Sequence, residues 1–174
     1  MPPLLILRHG ETAWNRAGRL QGGRDSDLTA LGRVQAARQG AILRAQGFAG
    51  VSAWVSPAGR ARKTAAFAGI GGAPDARLCE LRLGSWEGRT LAQIAPPPGM
   101  TWKFDAPGGE TQDALTARLT SFLSDLDGPA IIISHGVVSI GLRALLLGVT
   151  DWDTLADPQG VVHRVVAGRE TILA

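Results

Sequence analysis

Three apolar stretches of the chain end in residues that can do chemistry together. Residues 4–7 run into Arg8-His9-Gly10-Glu11-Thr12, and residues 51–55 into Ser56-Pro57, with Arg60 close behind. Residues 130–133 run into Ser134-His135-Gly136. Two histidines and two arginines, distant in sequence, thus follow strand-like segments. The set suits phosphoryl transfer to a histidine. A guanidinium fork matches the oxygens of a phosphoryl dianion. Burial and neighbouring positive charge keep an imidazole neutral, and only a neutral imidazole can attack. A carboxylic acid must then protonate the leaving oxygen, because an alkoxide leaves poorly. Glu11, Glu80, Glu87 and Glu110 are the candidates. Glu80 closes an apolar stretch, which suits a partly buried acid. Glu87, in Trp86-Glu87-Gly88, reads as a residue that holds a loop.

Strands and helices must bring these residues together. The run at 4–7 reads as a buried strand. A helix is expected from Thr29 as N-cap, with Leu31, Val34, Ala37 and Ala41 on one face and a stop at Gly47. A strand over 51–55 precedes a helix over 60–68. Residues 96–109, rich in proline and glycine, read as a long surface loop. Thr111 opens a helix with Leu115, Leu119, Phe122, Leu123 and Leu126 at helical spacing. Residues 130–134 contain three consecutive isoleucines, as in a strand buried on both faces. A helix over 137–147 ends at Gly148, and strands over 160–166 and 170–173 meet at Gly168-Arg169. Alternation of this kind predicts an α/β fold, with a mostly parallel central sheet and helices on both faces in a three-layer α/β/α sandwich. In open parallel sheets the site lies beyond the carboxyl ends of the strands, where these histidines and arginines fall. His163 reads as a strand residue, and 161–166, near an expected sheet edge, offers pairing with a second copy as a homodimer.

Composition narrows the function. A length of 174 residues suits one domain over 1–174 with a substantial core. The apolar fraction of 45% and charged fraction of 19% exclude a disordered chain. No apolar run is long enough to span a membrane, and the first residues lack the basic start of a secretory signal. The single Cys79 excludes a disulfide framework and a cysteine zinc site, and the expected location is cytoplasmic. The net charge is +3, and lysine appears only at positions 63 and 103, so arginine supplies almost all the basicity. Arginine grips planar oxyanions. The arginines are dispersed and often neighbour acids, as at Arg24-Asp25, which argues against nucleic acid. Arg19, Arg24 and Arg62 fall nearer the expected site and can steer an anion.

The motifs also carry a resemblance. Arg8-His9-Gly10-Glu11-Thr12 followed by Trp14-Asn15 resembles the signature of the histidine phosphatase superfamily, the phosphoglycerate-mutase-like group. Further segments agree in order: Gly18-Arg19-Leu20-Gln21-Gly22, then Asp25-Ser26 and Leu28-Thr29, then Ser56-Pro57 with Arg60-Ala61 and Thr64-Ala65. Leu78-Cys79-Glu80, Gly84-Ser85-Trp86-Glu87-Gly88, Gly108-Gly109-Glu110-Thr111 and Ser134-His135-Gly136 complete the set. The resemblance implies His9 as nucleophile and Glu80 as acid, then base. It implies Arg8, Arg60 and His135 as holders of the phosphoryl oxygens, with Asn15 as a further polar contact. Gln21, Gly22 and Gly136 are implied at the substrate. It implies no metal and no cofactor, and a small phosphorylated molecule as partner, with neither nucleic acid nor membrane. Mutases of the family carry a longer covering segment than the short interval from Glu80 to Gly108, and Leu83-Gly84-Ser85-Trp86-Glu87-Gly88 looks like the phosphatase branch and its α-ribazole phosphatase relatives. Hydrolysis of a phosphomonoester is the implied activity. A mutase-type phosphotransfer and a non-catalytic phospho-ligand module are the alternatives. Ala58, Lys63 and Asp27 depart from the usual pattern, and Lys63 adds charge near the implied site.

Overall fold

The computed structural model describes residues 2–174. In chain order the elements are β1 (Leu4–Arg8), α1 (Ala13–Arg16), α2 (Ala30–Ala45), β2 (Ser52–Val55), α3 (Gly59–Ala68), β3 (Ala73–Pro74), α4 (Leu91–Ile94), α5 (Gln112–Ser124), β4 (Ala130–Ser134), α6 (Gly136–Leu147), β5 (Val162–Val166) and β6 (Arg169–Leu173). The six strands form one sheet in the order β3-β2-β4-β1-β5-β6. Strands β1 to β4 run parallel, β5 is antiparallel to β1, and β6 is antiparallel to β5. This is the mixed α/β architecture expected, with a mostly parallel sheet.

Side-chain alternation separates two cores. Leu5, Leu7, Ile131 and Ile133 face Leu43 of α2 and Ala61 and Ala65 of α3. Ile6 and Ile132 face the other way, onto Leu115, Leu119 and Phe122 of α5 and Val138 and Leu142 of α6. Each burial of such a side chain is worth about 1.5–3 kcal/mol. Among the described residues no helix is long and apolar enough to cross a membrane.

Register delivers the site. Leu7 lies opposite Ile133, which also pairs with Val55. The His9 amide donates to the Ser134 carbonyl at 2.9 Å, and the Ser56 amide to the Ile133 carbonyl at 2.9 Å. The ends of β1, β2 and β4 are therefore level, and His9, Ser56 and His135 emerge side by side.

Three expectations are corrected. Thr29 does cap α2, accepting from the Gly32 amide. The face that packs, however, is Gly32, Ala36, Gln39, Gly40 and Leu43, while Leu31 and Val34 are 53% and 65% exposed. The reason is close approach. A methyl group on Gly32 would fall on the Glu11 carbonyl, and one on Gly40 on the Ala68 carbonyl. At those two points only glycine fits, which fixes the side of the helix that faces inward and leaves the apolar stripe outside. Second, residues 96–109 are not simply a surface loop. Met100, Trp102 and Ala106 are buried around a turn of 3₁₀ helix at Thr101–Asp105. The Asp153 carboxylate accepts from the amides of Met100 and Thr101 at 2.6 and 3.0 Å and pins the segment. Third, β5 is not an edge. It is paired on one side with β1 and on the other with β6, so 161–166 is not free to pair with a second chain.

Gly32→Ala should therefore cost about 2–3 kcal/mol of stability through overpacking against backbone. Leu31→Ala, on the apolar stripe, should change it by about 0.5 kcal/mol or less. Urea denaturation of the two variants measures both.

Candidate active site

His9 is fixed from both sides of its ring. Its Nδ1 lies 2.8 Å from the Gly10 carbonyl, and its Nε2 lies 3.2 Å from Nε of Arg60. A carbonyl only accepts and a guanidinium only donates, so the neutral ring with hydrogen on Nδ1 satisfies both contacts. The ring is buried, and burial, then Arg8, then Arg60 hold its pKa well below the ordinary value of 6.5, against a smaller opposing effect of the Gly10 carbonyl. The Gly10 amide donates to Thr64 Oγ1 at 3.1 Å, which ties the loop after β1 to α3.

Arg60 is 1% exposed although it carries a full charge. Besides His9, it donates to the Gly22 and Arg24 carbonyls at 3.1 and 2.7 Å and to Asp25 Oδ1 at 2.9 Å. Four donor contacts, one of them to a carboxylate, offset its desolvation. The chain around Gly22 is held in turn, because Glu87 Oε1 accepts from the Gly23 amide at 2.8 Å and the Leu83 amide at 3.1 Å.

Arg8 reaches into the same cleft, with Nη1 donating to the Asp157 carbonyl at 2.9 Å. Gly136 makes room for it, since a Cβ there would lie 3.3 Å from the guanidinium carbon. Thr12 caps the short α1 and Asn15 closes the capping box, its Oδ1 accepting from the Thr12 amide at 3.1 Å and from Gln159 at 3.3 Å. Gln21 donates to Thr12 Oγ1 at 3.0 Å. His135 stands edge-on to His9 with ring centroids 5.2 Å apart. One of its nitrogens meets Ser56 Oγ at 2.7 Å, and the other is buried without a partner. Burial, then Arg60, lowers its pKa well below 6.5 as well.

Glu80 is half-buried across the cleft. Its oxygens accept from the Leu81 amide at 2.9 Å and, at 3.4 Å, from the Val137 amide in the first turn of α6. The hydroxyl of Ser134 donates to the Leu78 carbonyl at 2.7 Å and fastens the segment before Glu80 to the end of β4. The cleft holds about 210 Å³. Arg8, His9, Asn15, Gln21, Gly22, Arg60, Glu80 and Gly136 all line it, and His135 backs it.

The chain matches the Histidine phosphatase superfamily (branch 1) over residues 4–167. It belongs to that superfamily. Glucosyl-3-phosphoglycerate phosphatase of Mycobacterium tuberculosis is 34% identical over 176 residues, covering 87% of this chain and 79% of that one. An acid phosphatase of the same organism is 34% identical over 167 residues, covering 90% and 78%. The crystal structure of phosphoglycerate mutase from Thermus thermophilus superposes with a TM-score of 0.78 at 33% identity, covering 99% and 98%. The enzyme class is phosphoric monoester hydrolase.

Within this histidine phosphatase, Glu80 alone of the four candidate acids lines the cleft. Glu110 is bound by Arg118 at 2.7 and 2.9 Å, Glu11 accepts from Thr29 Oγ1 at 2.6 Å, and Glu87 holds its loop. Lys63 pairs with Asp27 in the open and stands apart from the cleft lining. Arg62 lines a separate, more apolar hollow of about 520 Å³ beside β3. Arg19 does line the cleft, lying over the Trp14 ring. Sequence reasoning missed Lys103, Asp157 and Gln159, because they come from the 96–109 segment and from the loop before β5, which carry no motif. A lone lysine between Trp102 and Phe104 was the one available signal. Among the described residues no group of three or more His, Cys, Asp or Glu is placed to hold a metal ion.

His9 and His135 resist protonation in the fold but not in the unfolded chain. Below pH 6.5 the unfolded chain binds more protons, so stability falls as pH drops from 6.5 toward 5, at up to about 1.4 kcal/mol per pH unit for each histidine. Glu110 and Glu170, whose pKa values are lowered from 4.5, add their loss only at lower pH. Urea denaturation from pH 7.5 to 5 should show this slope, and His9→Asn should halve it.

Proposed function

We propose that this protein hydrolyses a small phosphorylated metabolite through a phosphohistidine on His9, with Glu80 as general acid and base and with no metal. The observation that carries the reading is the neutral His9, with a nitrogen lone pair beside two guanidiniums and one unpaired carboxyl group across the cleft. Nε2 of His9 attacks phosphorus and the ester P–O bond breaks. The leaving oxygen takes the Glu80 proton. Water then loses a proton to Glu80 and attacks the phosphohistidine, which restores neutral His9 and releases phosphate. Arg8, Arg60 and His135 carry the charge that grows on the phosphoryl oxygens. Asn15, Gln21, Gly22 and Gly136 shape the pocket around them. We place the enzyme in the cytoplasm, acting on a soluble small molecule.

The mouth of the cleft supports an anionic leaving group. Lys103 and Arg19 both line it, and among the described residues no carboxylate lies within salt-bridge distance of Lys103. Burial lowers the Lys103 pKa, while Glu80 raises it. A relative that acts, by name, on glucosyl-3-phosphoglycerate is consistent with a carboxylate-bearing substrate.

His9→Ala should abolish hydrolysis of p-nitrophenyl phosphate in excess chelator, and retention of activity would overturn the phosphohistidine. Glu80→Gln should slow alkyl phosphates by about 10²–10⁴-fold and aryl phosphates far less, because aryloxides leave without a proton. Lys103→Met should cut kcat/KM by about tenfold for esters carrying a carboxylate and leave p-nitrophenyl phosphate nearly unchanged, the loss expected for one charge-assisted contact. A steady-state panel of both ester types reads all three variants.

A further inference from the structure

Behind Arg8 lies a buried set of charged residues that the phosphoryl chemistry does not use. Ile6 and Arg8 of β1 point to the α6 side of the sheet, and His163, opposite Ile6, shares that side. Ser139 and Arg143, one turn apart on α6, come down onto it. Asp157 sits among them with its side chain 3% exposed, Arg143 is 2% exposed and His163 1%. Asp157 Oδ1 accepts from Ser139 Oγ at 2.7 Å and lies 3.4 Å from His163 Nε2 and 3.7 Å from Arg143 Nη1. The other face of His163 meets Glu170 of β6 at 2.7 Å, and Arg143 grips both oxygens of Glu170 at 2.5 and 3.1 Å. Arg143 also donates to the Ala156 carbonyl at 2.9 Å, which fixes the backbone just before Asp157.

Toward the cleft, Asp157 meets Arg8 twice. Its carbonyl takes Nη1 at 2.9 Å, and its Oδ2 faces Nε at 3.8 Å. Neither Oδ2 nor Nε has any hydrogen-bond partner, and both are buried. An isolated carboxylate at a phosphate site repels the substrate, and buried ion pairs are poor stabilisers. His163 Nε2 is likewise buried without a hydrogen-bond partner, so the set is better explained by what it orients than by its own satisfaction. We propose that Asp157 is a positioning residue: fixed from behind by the Ser139 hydroxyl, with Arg143 and His163 beside it, it holds the Arg8 guanidinium at the angle that receives a phosphoryl oxygen. The proposal rests on the phosphoryl reading of the cleft. Glu170 and the β5–β6 hairpin, far from the chemistry in sequence, thereby set the geometry of the binding site.

The sign of one measurement separates this role from its rival. If Asp157 were only a negative charge beside the cleft, Asp157→Asn would tighten phosphate binding. If it orients Arg8, the same change weakens binding by about tenfold, the loss usual when the partner that orients an ion-gripping ligand is removed. Inorganic phosphate is the probe, scored as a competitive inhibitor of p-nitrophenyl phosphate hydrolysis, with KM expected to rise by the same factor. Ser139→Ala, a small change that leaves the fold intact, should weaken phosphate by about threefold, in line with one lost hydrogen bond. In an Arg8→Lys background, Asp157→Asn should have no further effect, because no guanidinium is left to orient. Active wild type with phosphate binding unchanged or tighter in both variants overturns this inference alone, as does an undiminished effect of Asp157→Asn in the Arg8→Lys background. Should Asp157→Asn fail to fold, Ser139→Ala decides. Wild type that neither binds phosphate nor turns over the ester overturns the phosphatase reading, and the inference with it.

Discussion

The contact between Arg60 and His9 is the constraint from which much of this molecule follows. A guanidinium 1% exposed must find acceptors, and a histidine beside it must stay neutral. The acceptors are two carbonyls, of Gly22 and Arg24, and the carboxylate of Asp25, so residues 22–25 must fold down over α3. That path has to be held open at the right height, and Glu87 does so through the Gly23 amide. The loop after β1 has to lie flat so that His9 meets Arg60, and it can do so because Gly10 and Gly32 let two backbones touch. The glycine at position 32 on the packing side of α2 is thus a consequence of where His9 must be.

That chain of causes explains which parts were legible in the sequence. The strands bearing His9 and His135 were readable because each is an apolar run that stops abruptly at polar residues, as Ile131–Ile133 does at Ser134-His135. Their convergence was readable because parallel sheets place such ends together. The face of α2 was not readable from hydrophobicity. Leu31, Val34, Ala37 and Ala41 have helical spacing, but close approach selects for lack of bulk, and Gly32, Ala36 and Gly40 win the interior. The sheet order was hidden because it is non-local: β4 inserts between β1 and β2, and β6 covers β5. The 96–109 segment looked like a loop by composition. What orders it is Asp153, some fifty residues away and marked by no motif.

The α6 side of the sheet shows two kinds of interior in one layer. Against α5, Leu115, Leu119 and Phe122 pack on Ile132, with the Arg118–Glu110 pair as a charged exception. Toward β5 and β6 it turns ionic, with Arg143, His163, Asp157 and Glu170 packed together. An apolar replacement of comparable volume would fold as well or better on energetic grounds. The ionic patch runs alongside β1, from Glu170 at the level of Leu4, past His163 opposite Ile6, to Asp157 at Arg8. Its placement, rather than its strength, is what links the edge hairpin to the cleft.

Arg60 also imposes an order on events. In the resting arrangement its Nε–H points at the lone pair of His9 Nε2, the same lone pair that must attack phosphorus. Both uses cannot be satisfied at once. Four of the five N–H groups of the guanidinium are engaged, which leaves one on Nη2 for an arriving phosphoryl oxygen, and a second bond to phosphate must draw an N–H away from a protein acceptor. The carbonyls of Gly22 and Arg24 are anchored by their loop, and Asp25 carries opposite charge. The neutral imidazole nitrogen at 3.2 Å is the weakest of the four acceptors and the one most readily given up. On the proposed phosphohistidine route that contact has to break before Nε2 can attack, so the guanidinium that fixes His9 is also the group that must let it go.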